Sequence, residues 1–388
     1  MKLFVITSRI PYPLDKGDKL RIYNQLKSLA GKNEIHLCAL QLPFSKNTLD
    51  AKEKLKEFCT EVHFVKLSFL QIIFSLLGAF FSKEPFQTAL FTTGKAKIKV
   101  AELIKSIKPD HIYCQLTRAA EYVRYEEYPK TLDYMDVFSK GIERRAEKAP
   151  FYSKWLYKWE ASKQKEYEGV LYKNFDKHCI ITEEDRDFIN HPSKDSITII
   201  RNGVDLNYFK PQTKTTKHDI VFVGNMGYAP NIDAAKFLCE EILPLIHKKN
   251  ENVKVLLAGT SPSKSVLKLQ SSSVTVSGWM EDIREAYASS TLFIAPMRIG
   301  TGLQNKLLEA MAMEKACIST SLAAQPIKAP SNTLSVGNSK EELANLCLEL
   351  LGDKDKRNNL ASAGHQFVKE TYKWEKTTEI LNNLFYSN

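Results

Sequence analysis

Apolar residues recur along this chain in two alternating rhythms. Short runs of consecutive apolar positions alternate with stretches where they return every three or four residues. The runs predict buried strands, and the spaced stretches predict helices with one packed face. In the first half, strands are expected at 2–7, 35–40, 62–65, 111–114, 131–136, 178–182 and 197–200. Helices are expected at 19–29, 98–107 and 155–172. Thr182, with Asp185 three residues on, marks another helix start close to a capping box. Over 211–218 the chain turns polar and loses its rhythm, which predicts a linker. A second alternation follows, with strands at 220–223, 253–258, 274–277 and 292–295 and helices at 231–246, 282–288 and 354–385. Two strand–helix halves imply an α/β chain of two doubly wound parallel sheets, with ligands between the carboxyl ends of the strands.

A length of 388 residues agrees with two domains. Hydrophobic content of 43% and charged content of 26% are those of a soluble globular protein. A net charge of +10 favours anionic partners: nucleotide diphosphates, acidic headgroups or nucleic acid. No arginine-rich tract, RNP-like signature or zinc-finger spacing is present, so nucleic acid is not an expected partner. Seven cysteines without a CxxC pair suit reduced, buried thiols and a cytoplasmic setting. The opening Met-Lys-Leu-Phe-Val-Ile-Thr-Ser-Arg reads as a first strand rather than a signal peptide. No apolar run is long enough to span a membrane. Residues 68–81 come nearest, with only Gln71 and serines as polar interruptions and Lys83 just beyond. They predict either a core helix or an interfacial one giving peripheral membrane contact.

The densest chemistry lies in 293–320. An apolar strand breaks at Pro296, passes Arg298, Gly300, Thr301 and Gly302, and enters a helix carrying Lys306 and Glu309. A glycine-bearing turn, a helix start and two cations together make a place for phosphates. Glu309, expected about two turns into the helix, is a carboxylate able to accept hydrogen bonds from sugar hydroxyls. The first half has a comparable loop after its first strand, with Gly17 beside Lys16, Lys19 and Arg21. It is not a GxGxxG fingerprint and no acidic residue ends the second strand, which disfavours a nicotinamide or flavin domain. His111 opens its strand and reads as a core or edge residue. Gln115 and Arg118, near that strand's exit, are better placed to meet a sugar or its leaving group. Asp133 and Asp136 either orient an acceptor hydroxyl or cap the next helix together with Ser139.

Four segments resemble the family 4 retaining glycosyltransferases, in the branch found in bacterial exopolysaccharide gene clusters. They are Ile200-Arg201-Asn202-Gly203-Val204-Asp205, the strand 220–224, Gly278 with Asp282-Ile283, and Leu307-Leu308-Glu309-Ala310-Met311-Ala312. The resemblance implies a GT-B architecture of two Rossmann-like domains facing across a cleft. The expected domains are an acceptor-side 1–210, a nucleotide-sugar-binding 211–365, and a closing helix 366–388 returning toward the first. The implied reaction is transfer from a nucleotide-diphosphate sugar to an acceptor hydroxyl of a lipid-linked or growing polysaccharide. No cofactor or metal is expected. Gly17, Arg298, Gly300, Thr301, Gly302, Lys306 and Glu309 are implied on the donor side, and Arg118, Gln115 and Asp136 as catalytic groups. The chain departs from the family pattern at Thr301, where the family has a glutamate, and at Asn225 and Pro230, where it favours Arg and Lys. Arg298 and Lys306 are expected to replace those cations. A sugar-nucleotide epimerase of the same architecture and a non-catalytic binding subunit are the alternatives.

Overall fold

The consecutive apolar runs form parallel strands, buried on both faces as a doubly wound sheet requires. The computed structural model describes every residue except Phe44, Lys46, Asn47, Thr301 and Asn388. The chain divides into two compact units, Met1–Arg201 with the segment from Trp374 onward, and Asn202–Lys373.

The first unit holds seven parallel strands in the order β3-β2-β1-β4-β5-β6-β7. These are β1 Lys2–Thr7, β2 Glu34–Gln41, β3 Glu61–Lys66, β4 His111–Gln115, β5 Lys130–Asp133, β6 Lys177–Ile180 and β7 Thr198–Ile199. β5 stops at Asp133 rather than 136. Its carboxylate accepts the Met135 N–H at 2.9 Å, and Met135 takes a left-handed φ of 59° that ends the extended backbone.

The second unit holds β8 His218–Val223, β9 Val255–Ala258, β10 Val274–Gly278, β11 Ser290–Ala295, β12 Ala316–Ser319 and β13 Ser335–Val336. Their order is β10-β9-β8-β11-β12-β13, also parallel. In both sheets the order reverses beside the first strand, between β1 and β4 and between β8 and β11. Ligands of doubly wound sheets bind outside the strand ends at such a point.

The units part at Arg201, ahead of the polar stretch 211–218. Val204 is buried in the second unit's core, with Leu206 and Phe209 against it, and its N–H donates to the Tyr372 carbonyl at 2.7 Å. The closing helix expected at 354–385 is two helices, Lys354–Thr371 and Trp374–Tyr386. Buried Tyr372 ends the first, its hydroxyl donating to the Ile327 carbonyl at 2.7 Å. The second belongs to the first unit and buries Leu381 and Phe385 in a cluster with Ile22 and Leu26.

The helix expected at 231–246 runs through Ala229–Lys236, a wider π-type stretch Phe237–Ile242, and Leu243–His247. Pro244 has no N–H to return to the preceding turn, and the ladder widens ahead of it. The segment 68–81 forms a helix over Phe69–Phe81, but only Ile72 and Ala79 are buried, so it is not a core helix.

Candidate functional site

In the second unit the site grows from the loops that follow β8 and β11. The loops after β8 and β9 touch: a Cβ on Gly259, at a φ of 136°, would fall 1.9 Å from the Gly224 carbonyl oxygen. Only glycine fits there. After β11, Gly300 and Gly302 take φ of 105° and 83° and turn the chain into the helix Asn305–Ala312. A Cβ on Gly300 would lie 3.4 Å from Pro230, so this turn meets the first turn of the helix after β8. Thr301 lies outside the described residues. The helix start has no side-chain cap and no acid in its first turn, which leaves N–H groups for an anion. Glu309 falls just past one turn from Asn305, closer to the start than expected.

Lys306 Nζ lies 2.5 Å from Asn231 Oδ1 and 4.8 Å from the centre of the Phe222 ring. Burial lowers its ammonium from 10.5 to about 8, with Glu309 opposing. Glu309 accepts a hydrogen bond of 2.9 Å from the Tyr287 hydroxyl. Burial raises the Glu309 carboxyl, opposed by that bond and by Lys306. Asn231 also donates to the Asn225 carbonyl at 2.9 Å, so one amide ties the β8 loop to Lys306. Asn202 reaches Asn305 at 3.3 Å.

Arg298, expected as a phosphate partner, is turned elsewhere. Its guanidinium binds both oxygens of Asp233, at 2.9 and 3.1 Å, and Glu241 at 3.0 Å, and it lies 4.2 Å from the Phe237 ring centre. Both carboxylates sit on the helix after β8, distant in sequence, and the Asp233 pair is the two-point contact that arginine favours. Lys306 is thus the cation left at the helix start among the donor-side residues named above.

In the first unit, Gln115 and the Gly17 loop come together. Gln115 donates 2.8 Å to the Asp18 carbonyl. The helix Gly17–Leu29 starts at Gly17, where a Cβ would meet nothing within 4 Å, so the glycine leaves open space rather than relieving a clash. Arg118 donates 2.7 Å to Gln87 Oε1 and lies 4.4 Å from the Phe138 ring centre. Burial, then Arg9, lowers it from 12.5 to about 10. This is a desolvated cation held by packing.

Asp133 does not share a role with Asp136. It is fully buried and takes hydrogen bonds from Arg21 Nε at 2.7 Å and Tyr113 at 2.8 Å. Nor do the two acids cap the next helix: Ser139 bonds Glu168, its hydroxyl at 2.6 Å. Asp136 is exposed, and Asp185, Asp133 and Asp18 act on it as like charges. Burial, then Asp185, moves it from 3.8 up to about 7, against Arg21. Its open surface makes the neighbouring like charges the firmer cause of that rise. His111 bonds Thr131 Oγ1 at 2.8 Å inside the core, and burial lowers it to about 4. A cavity of about 670 Å³ in the first unit, lined by Lys83, Glu121, Arg124, Tyr167 and His191, includes none of these groups.

The whole chain superposes on sucrose-phosphate synthase from Thermosynechococcus elongatus with a TM-score of 0.70 at 12% identity, covering 100% of this chain and 98% of that one. It matches Anabaena Alr3699/HepE, solved in complex with UDP and glucose, with a TM-score of 0.69 at 13% identity, covering 100% of both chains. The fold is GT-B. Residues 217–353, within the second unit, match the family described as glycosyl transferases group 1. A Klebsiella pneumoniae relative, described as an uncharacterized 44.6 kDa protein in cps region, is 22% identical over 411 residues and covers 100% of both chains.

Tyr287 and Asn231, which hold Glu309 and Lys306, were not among the sequence candidates. Asn231 stood in the segment where the family's diphosphate cations are expected, which was the available signal. Tyr287 gave none, because a tyrosine in a short amphipathic helix reads as core.

Proposed function

We propose that this GT-B chain moves a glycosyl group from a nucleotide-diphosphate sugar to a hydroxyl of a lipid-linked or growing polysaccharide, retaining anomeric configuration. The observation that carries this reading is the pairing of Lys306 and Glu309 at one uncapped helix start, beside the strand-order reversal of the second sheet. Lys306 and the helix N–H groups stabilise the departing diphosphate in a site where little water screens them. Glu309 accepts hydrogen bonds from donor hydroxyls, and Gly300 and Gly302 let the backbone approach. No metal is assigned to the step, since the cation and the helix end supply the positive charge. Gln115, Arg118 and Asp136 are assigned to the acceptor side. The Anabaena neighbour's complex with UDP and glucose supports the donor class, and the cps-region relative supports a polysaccharide product. The enzyme would work in the cytoplasm, peripherally at the inner face of the membrane.

A thermal-shift panel of nucleotide-diphosphate sugars tests the donor half, because a ligand of the folded state raises apparent stability. One sugar nucleotide should stabilise the wild type, and Lys306→Ala and Glu309→Ala should lose that shift while still folding. Unchanged shifts in both variants would sink the assignment.

One observation favours a second reading. With Arg298 held by Asp233 and Glu241, and Asn225 and Pro230 at the family's cation positions, the chain offers few charges for a diphosphate. That suits a non-catalytic binding subunit. Sugar-nucleotide binding without turnover, across a range of acceptors, would favour it.

A further inference from the structure

The helix Phe69–Phe81 is amphipathic in the wrong sense for a soluble protein. Its polar residues face inward: Gln71 accepts the Lys95 N–H at 3.3 Å and the Ser75 hydroxyl donates to the Thr92 carbonyl at 2.7 Å. Its outward face carries no polar side chain. Leu70, Phe74 and Phe81 are 66%, 71% and 95% exposed. A helix normally turns charged or polar residues to water, and an apolar face of this extent marks an interaction surface.

The patch continues onto a second element. Phe80 packs 5.5 Å from the Trp159 ring, and Lys163 donates to the Ala79 carbonyl, which fixes the helix end against the helix Phe151–Tyr172. In the turns before Trp159, that second helix exposes Phe151, Tyr152 and Trp155. Lys83, Lys95, Lys154 and Lys158 surround the two apolar stretches, all exposed and with no carboxylate partner among the described residues.

We propose that this surface docks on a bilayer containing anionic lipid, with the helix Phe69–Phe81 lying in the headgroup–acyl boundary. The inference deepens the peripheral location given above and rests on that reading, but not on the transfer reaction. Thirteen residues make a helix of about 20 Å, too short for a hydrocarbon core of about 30 Å. No described helix is long and apolar enough to cross a membrane. Aromatic residues with polar tips, such as Tyr152 and Trp155, prefer the interface, and lysines beside an apolar face are drawn to acidic headgroups. A second copy of the chain is a poorer occupant. Self-association through this face would bring the same four lysines together, in a protein already carrying a net charge of +10.

Vesicle co-sedimentation of the full chain tests this, with phosphatidylcholine alone and with phosphatidylglycerol mixed in. Binding should favour the mixed vesicles and weaken with added salt. Tryptophan emission should shift to the blue, less so in Trp155→Phe. Leu77→Glu or Phe74→Glu should cut partitioning by about tenfold or more, from the lost apolar burial alone. Alanine at Lys83, Lys154 or Lys158 should cost about fivefold each. Circular dichroism and sugar-nucleotide thermal shift should match the wild type in all these variants, which separates lost docking from lost folding or lost donor binding. Equal sedimentation of wild type and Phe74→Glu would overturn the proposal. So would a wild-type dimer in light scattering that Phe74→Glu dissolves. Absent vesicle binding with an intact donor shift would remove the membrane surface and leave the transfer reading standing.

Discussion

Tyr287 donates a 2.9 Å hydrogen bond to Glu309 Oε2 from a position with no solvent exposure. The bond reaches from the helix Arg284–Ala288 to the helix Asn305–Ala312 and fixes the carboxylate one turn from the helix start. Phenylalanine fills the same volume and removes only the donor. A hydrogen bond to a charged group contributes roughly 1.5–3 kcal/mol. Tyr287→Phe should therefore weaken sugar-nucleotide binding by about tenfold or more, measured by titration calorimetry. Residues acting through one carboxylate are not additive. The double variant with Glu309→Ala should bind no worse than Glu309→Ala alone, and a further loss would give Tyr287 a contact of its own.

Lys306 lowers the stability of the fold that holds it. Its ammonium titrates near 8 in the folded state and near 10.5 unfolded. Between these values the unfolded chain binds more protons, so stability rises with pH from about 8 to 10.5. Below 8 the buried charge costs the fold about 3 kcal/mol at most. Lys306→Met, which keeps the volume without the charge, should raise Tm at pH 7 and abolish the stabilisation by sugar nucleotide. Calorimetry with and without ligand reads both effects. A lower Tm would mean that the bond to Asn231 outweighs desolvation.

Asp136 is raised to about 7, by burial and then Asp185, and with its surface open the like charge is the firmer cause. As pH rises through 7 the carboxyl becomes a carboxylate able to hold an acceptor hydroxyl. Transfer should climb across that range, and Asp136→Asn should be slower and flat from about pH 6 to 8. The linkage to stability runs the other way. A carboxyl raised in the folded state contributes stability at low pH that fades as pH passes 7. Rate and Tm should thus move in opposite directions, and a wild-type pH profile retained in Asp136→Asn would remove the residue from the reaction.

The strands, their parallel class and the core were legible because buried parallel strands leave unbroken apolar runs, as at Leu3–Ile6 and Leu292–Ala295. Gly300 and Gly302 were legible as a turn, and their positive φ values are what glycine permits. Side-chain partners chosen across long sequence separations were not. Asp233 and Glu241 take Arg298, Asp133 takes Arg21, and Glu168 takes Ser139, none of which periodicity encodes. The unit boundary was missed for a related reason. Polarity marked 211–218, while the packing of Val204 and Phe209 set the division earlier.

Arg298 provides the sharpest contrast with Lys306. Its ion pairs are 41% and about 30–40% exposed on the two sides, where individual pairs contribute roughly 0–1 kcal/mol. Arg298→Ala should therefore lower Tm only slightly and leave sugar-nucleotide affinity within about twofold. Arg298→Lys should recover little of the lost stability, because an ammonium cannot span both oxygens of Asp233 while also reaching Glu241. A tenfold loss of affinity in Arg298→Ala would show that the guanidinium leaves its carboxylates for the diphosphate. Asp233→Asn then distinguishes release from tethering: it loosens the clamp, and tighter binding in that variant would confirm that the clamp competes with ligand.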